Sequence, residues 1–308
     1  MRLINCYLLA GCTLLTSVAQ AGVRQAQPEN LQLFVSQVLG PMQYPRHGKY
    51  PDELHRTAAW LNEQMRLFSI PCQYQNVHLN HKQYRNVVCS LNVGRPDKVI
   101  LGAHYDTKLD SHGINDNASG VAAVLEAAHI LSQRKTNLKH NVDFVFYSLA
   151  TPPYHQTEVM GSLRHAKSLS SVKDSIHGVY VFDQIGFYDA DLVQDYPAGL
   201  QWIYPSHGNF IAAVSNLKSR QLAQNYCQAM QNLGQLQCER FSLPLVHVFE
   251  DSDHQSYWHY DLPAVLITDT GQYRNKNHYR AEVELKRLDY TKMAAVVDGV
   301  VASLDAGP

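Results

Sequence analysis

A single α/β domain, built on a mixed but mostly parallel sheet with helices on both faces, is the fold this sequence predicts. Three observations predict it. Short apolar runs alternate along the chain with amphipathic helical patterns, as in a sheet covered on both sides. At 308 residues and 45% hydrophobic content the chain can bury a large core. No repeat, low-complexity tract or linker interrupts it.

The first segment reads as a leader. Arg2 precedes a mostly apolar stretch to about Val18, and "AQA" at Ala19–Ala21 has the small-x-small form of a signal-peptidase site. Cleavage before Gly22 gives a leader of residues 1–21 and an exported domain of residues 22–308. The alternative is a lipoprotein box, "LAGC" at Leu9–Cys12, which would leave Cys12 acylated. No later stretch reaches the ~20 apolar residues that cross a bilayer, so no transmembrane segment is expected. Cleavage at Ala21 leaves Cys72, Cys89, Cys227 and Cys238 in a compartment that permits disulfides. Four cysteines allow three connectivities; nearest-neighbour pairing, Cys72–Cys89 and Cys227–Cys238, is the expectation.

Gln27–Leu39 and Pro51–Phe68 carry helical periodicity, with Leu54, Ala58, Leu61, Met65 and Phe68 on one face. Lys98–Ala103 reads as a buried strand, Ser119–Gln133 as a helix and Val142–Leu149 as a strand. Val179–Asp183 and Asn209–Ser215 are further strands, Ser219–Leu233 a helix, and Ala264–Asp269 a last strand. The helix Tyr290–Leu304 aligns Met293, Val296, Val297, Val300, Val301 and Leu304. A formal charge of −1 gives no electrostatic basis for nucleic-acid binding, and no basic run suits an anionic membrane.

Ligands of such sheets gather at the carboxyl ends of the strands. His104, Asp116 and Asp183 all stand at or just past the ends of apolar runs. "HYD" at His104–Asp106 offers an imidazole with a carboxylate two residues on, and a metal-bound histidine needs its second nitrogen held by an acceptor. Asp116 follows in an Asn-Asp-Asn turn that leads into a helix, where a carboxylate can bind one cation or bridge two. Alone, a strand-end His-x-Asp is weak; it is commonly a solvated turn.

The wider pattern is specific. "HYDT…GINDNASGVAAVLEAA" resembles peptidase family M28, the zinc aminopeptidases whose fold the glutaminyl cyclases share. "YRNVVCSL", "VDFVFYSLATPPYHQTEVMGSLRHAKSL", "VFDQIGF" and "SDHQSYWHYDLPAVLITDTGQYRNKNHY" resemble successive family segments, in family order, over roughly Leu54 to Leu304. The resemblance implies a zinc aminopeptidase-like fold and two metals bridged by one carboxylate and a water. It assigns one metal to His104, Asp116 and Asp183, with Asp106 as the acid behind the histidine.

The other half of the centre departs from the family. Where the family has two adjacent glutamates, one a general base and one a ligand, this chain has Ala150 and Thr151. The family's last histidine ligand falls on Tyr279, and the imidazole of His278 lies one residue early. Neighbours in an extended segment point oppositely. The base and both exclusive ligands of one metal are thus lost together, so one zinc is expected in place of two.

Other residues have weaker claims. Glu158 and His155 are the nearest substitute bases, although a solvated or capping role is the commoner one for each. Asp253 and His254 match the family's "SDH" element at the site wall; Tyr273 and Arg274 are further pocket candidates. Tyr105, Tyr257 and Trp258 are more often core or rim residues. Ser162 lacks the Gly-x-Ser-x-Gly of a nucleophile elbow.

Three functions follow. The first is an exported M28-type protein with one zinc and weak or lost peptidase activity, binding peptide or protein N-termini. The second is an active one-zinc aminopeptidase or cyclase whose base comes from Glu158, His278 or elsewhere. The third is a non-catalytic binding module.

Overall fold

The computed structural model describes residues 26–40, 45–196, 199–242, 252–275 and 281–305. The expected leader, Cys12, His278 and Tyr279 lie outside them.

Ten strands are described: β1 (Cys72–Leu79), β2 (Lys82–Leu91), β3 (Lys98–His104), β4 (Asn141–Tyr147), β5 (Ile176–Phe182), β6 (Asp189–Val193), β7 (His207–Gly208), β8 (Phe210–Ser215), β9 (Gln237–Phe241) and β10 (Ala264–Thr268). Eight form one sheet in the order β1-β2-β4-β3-β5-β10-β8-β9, while β6 and β7 pair separately. The central pairs β4–β3, β3–β5 and β5–β10 are parallel, as is β8–β9. β1–β2, β2–β4 and β10–β8 are antiparallel, so the sheet is mixed.

The parallel strands read as continuous apolar runs because both their faces are covered. Val99, Leu101 and Ala103 enter one core and Ile100 the other. Val142, Phe144 and Phe146 likewise oppose Val145 and Tyr147, the period-two alternation of a strand.

The first core is covered by α1 (Pro28–Leu39), α2 (Pro51–Leu67), α3 (Gly120–Ser132), α5 (Arg220–Leu233) and α8 (Tyr290–Asp305). The second lies under α4 (Gly161–Ser168) and α6 (His254–His259). A short α7 (Ala281–Arg287) precedes α8. Helix α3 is apolar almost all round and nearly every residue in it is buried, which makes it the axle of the first core. Burying Val121, Val124 and Leu125 there contributes ~2 kcal/mol each.

The hairpin β1–β2 turns through Asn80 and His81, both at positive φ (50° and 62°), the backbone of a two-residue hairpin loop. Its register sets Cys72 opposite Cys89, and the two form a disulfide. A second disulfide, Cys227–Cys238, ties α5 to β9. This is the nearest-neighbour pairing. Strand β4 ends two residues before the expected Leu149, whose φ of 57° turns the chain out of the sheet.

Candidate metal centre

Three carboxyl-end segments converge. His104 is the last residue of β3, Asp183 directly follows β5, and Asp116 lies in a single π-type turn, Ile114–Ser119, that feeds α3. Nδ1 of His104 donates to the carbonyl of Asp106 at 3.0 Å. That tautomer leaves Nε2 facing two carboxylates, 3.3 Å from Asp116 Oδ1 and 3.6 Å from Asp183 Oδ1.

These spacings fit an ion. Zinc bonds of ~2.0–2.1 Å in tetrahedral geometry hold donor atoms ~3.4 Å apart. One donor atom from each of His104, Asp116 and Asp183 lies within 4.8 Å of the others. Oδ1 of Asp183 is buried and has no hydrogen-bond partner among the described residues. A buried carboxylate oxygen in that state calls for a cation.

Electrostatics agree. Burial opposes the imidazolium of His104, but the attraction of the Asp116 and Asp183 carboxylates outweighs it and holds the pKa well above the ordinary value. For Asp116, burial would raise the carboxyl; His104 and then Lys108 outweigh it and hold it far below the usual carboxylate range. The two carboxylates thus favour positive charge at the position between them and His104.

The Asn-Asp-Asn turn is held by its asparagines. Asn117 Nδ2 donates to the Phe182 carbonyl at 2.8 Å, and its Oδ1 accepts from the Gly120 and Gln184 amides. Asn115 Nδ2 donates to Asp269 Oδ2 at 2.9 Å, and its Oδ1 accepts from the Gly186 amide. The turn carrying Asp116 is thereby locked to the segment carrying Asp183. Buried Arg46 completes the frame by donating to the carbonyls of Tyr105, His112 and Gly113. Arg46 lies far from any motif, so the sequence gives no signal for it.

Asp106 is fully buried, but its carboxylate Oδ1 is 3.7 Å from His104 Nδ1. Its oxygens accept instead from the amides of Ala150 and Thr151, both at 3.0 Å, and from Thr151 Oγ1 at 2.8 Å. Thr151 Oγ1 also lies 2.9 Å from the Thr107 carbonyl. Ala150 and Thr151 are thus both bound to Asp106, Ala150 through its backbone alone.

Lys108 is the residue that motif reading missed. Its Nζ lies 3.2 Å from Asp116 Oδ2, and this attraction raises the lysine pKa against a partial burial cost. The signal was a cation placed between the acids of a metal loop, "HYDTKLD".

Of the remaining candidates, Asp253 lies within electrostatic reach of His104 and Asp183. His155 Nδ1 donates to the Ala150 carbonyl at 3.0 Å, and Glu158 is exposed on the following turn. Asp253 is buried beside α6, and burial lifts its carboxyl to about 6 against the pull of His104. His254 stands edge-on to Trp258 at 4.4 Å, and burial presses its pKa down to about 3. Tyr273 packs against the second core, and Arg274 is spent on Gln194 and the carbonyls of Phe187 and Phe210. Tyr105 donates to the Arg85 carbonyl, Trp258 to the Ala264 carbonyl, and Ser162 meets Ser256 at 2.9 Å. Tyr257 joins Tyr147 and His165 in a buried polar cluster.

Comparison with known proteins agrees with this architecture. The model of peptidase family M28 matches residues 86–304. The protein YfbL of Escherichia coli (strain K12) is 34% identical over 292 residues, covering 91% of this chain and 88% of YfbL. The LapA aminopeptidase of Legionella pneumophila superposes with a TM-score of 0.69 at 18% identity, over 91% of this chain and 71% of that one. The glutaminyl cyclase of Porphyromonas gingivalis superposes at 0.66 and 20% identity, over 91% and 98%. At such identities the two structures share the fold.

Proposed function

The chain belongs to peptidase family M28, and from that premise we propose that it is a one-zinc member with weak or lost peptidase activity, holding peptide N-termini in the family's pocket. His104, Asp116 and Asp183 hold the ion, and Asp106 fixes the segment beside it. A bound zinc supplies Lewis acidity to a carbonyl or water oxygen. The two disulfides support export to a periplasmic or extracellular space, as does the leader expected from the sequence, and no described helix is long and apolar enough to cross a membrane.

The observation that carries this reading is the far side of Asp116. In a two-metal centre the second oxygen of the bridging carboxylate takes the second cation; here Oδ2 meets the ammonium of Lys108 at 3.2 Å. Ala150 offers no carboxylate to take a proton, and the Thr151 hydroxyl is turned to Asp106 and Thr107. A general base contributes ~10²–10⁴-fold, so turnover drops at least that far without one.

The test is an assay of zinc-loaded protein on aminoacyl reporters and N-terminal glutaminyl peptides, beside calorimetric titration with the same peptides. The reading expects binding without chelator-sensitive turnover. Robust turnover that chelator and Asp116→Ala both abolish would overturn it in favour of an active one-zinc enzyme.

A further inference from the structure

The end of the sheet opposite the candidate centre carries a second group of metal-ligating side chains. Asp97 immediately precedes β3, His140 immediately precedes β4, and His177 is the second residue of β5. These strands are adjacent and parallel in the order β4-β3-β5, so their first residues share one edge. The amide of Asn141 donates to the Asp97 carbonyl at 3.0 Å and fixes the two lead-in segments together.

The side chains meet. His140 Nδ1 lies 2.9 Å from Asp97 Oδ1, and His177 Nδ1 lies 3.9 Å from Asp97 Oδ2. The imidazoles stack with centroids 4.1 Å apart and planes at 24°. A donor atom from each of the three residues lies within 4.8 Å of the others. The His140 contact is short but off the axis of a ring N–H, so the buried Nδ1 has no hydrogen-bond partner among the described residues.

Two imidazoles this close repel when both are charged. Neutral imidazole is the form that ligates a metal. Two imidazoles and one carboxylate, with the outer side open to water, suit zinc or another late transition-metal dication and not magnesium or calcium, which favour oxygen donors.

We propose that Asp97, His140 and His177 form a surface site for a late transition-metal dication such as zinc, separate from the centre at His104. An ion there clamps the first residues of β3, β4 and β5. The other ends of these strands lead to His104, positions 150–151 and Asp183. Binding only the folded chain, it stabilises the fold by mass action.

The experiment is equilibrium dialysis of untagged protein at micromolar free zinc with elemental analysis, beside thermal unfolding across a zinc series. His177 is 41% exposed, so His177→Ala disturbs little packing. The variant should bind one zinc fewer per chain than the parent and lose part of the zinc-dependent rise in Tm. Asp97→Asn should do the same, while His207→Ala, at an exposed site elsewhere, should match the parent. Because the readout is a difference, it holds whether or not the His104 centre takes metal. Equal zinc content and equal Tm shifts in parent and His177→Ala would overturn the site.

Discussion

The ammonium of Lys108 lies 3.2 Å from Oδ2 of Asp116, while the other oxygen of the same carboxylate lies 3.3 Å from Nε2 of His104. One carboxylate is shared between the candidate metal position and a fixed positive charge. The lysine side chain is half exposed, so the pairing is worth ~1 kcal/mol.

That charge competes with the ion. Lys108→Met removes the repulsion and frees Asp116, so zinc affinity at the centre should rise ~5-fold, the equivalent of ~1 kcal/mol. Isothermal titration of the two proteins reads it directly. An unchanged or weaker affinity would place Lys108 outside the cation's reach.

Restoring the family's side chains should restore its second ion only if the lysine also leaves. Ala150→Glu, Thr151→Glu and Tyr279→His combined with Lys108→Ala should bind one more zinc per chain than the parent by elemental analysis. The three changes without the fourth should bind less. No gain in the four-fold variant would count against the alignment of Ala150, Thr151 and Tyr279 with the family's ligands.

Asp106 holds the segment that carries Ala150 and Thr151. Asp106→Asn turns an amide N–H₂ toward amides that need an acceptor, and loses charge-assisted bonds from Ala150 and Thr151. The expected cost is ~3 kcal/mol, or ~5 °C in Tm for a chain of this size. Calorimetry of metal-free protein checks it, and an unchanged Tm would sink this account of Asp106.

Acid stability should depend on His165. It is fully buried, its Nδ1 meets the Tyr257 hydroxyl at 2.7 Å, and burial presses its pKa from 6.5 to about 4. Between those values the unfolded chain binds more protons than the folded one, so stability falls as pH drops through that window. The loss reaches ~3 kcal/mol. In urea unfolding, the stability gap between the parent and His165→Asn should shrink from pH 7 to pH 4.5. A constant gap would rule out a buried neutral His165.

The α/β alternation was legible because β3, β4, β5 and β10 are buried on both faces and so read as unbroken apolar runs. The hairpin β1–β2 was less so: β1 is half exposed and polar, and its turn residues Asn80 and His81 do not spell the usual Asn-Gly. Short α6 and α7 span too few turns to show a period. In the centre, His104, Asp116 and Asp183 stood out because strand ends and a tight turn gather ligands. Arg46 did not, since it acts across a distance in sequence that local spacing does not encode, and the cation in "HYDTKLD" does not by itself show that Lys108 reaches Asp116. The clamping roles of Asn115 and Asn117 are visible only once Phe182, Gly186 and Asp269 are beside them.

The most direct test is crystallographic: a zinc soak with anomalous difference density collected at the zinc edge. One peak should appear between His104, Asp116 and Asp183, with the Lys108 ammonium on the other side of Asp116. Two peaks flanking Asp116 at the ~3.5–4 Å spacing of a paired-metal site, or no peak at those three residues, would contradict the account.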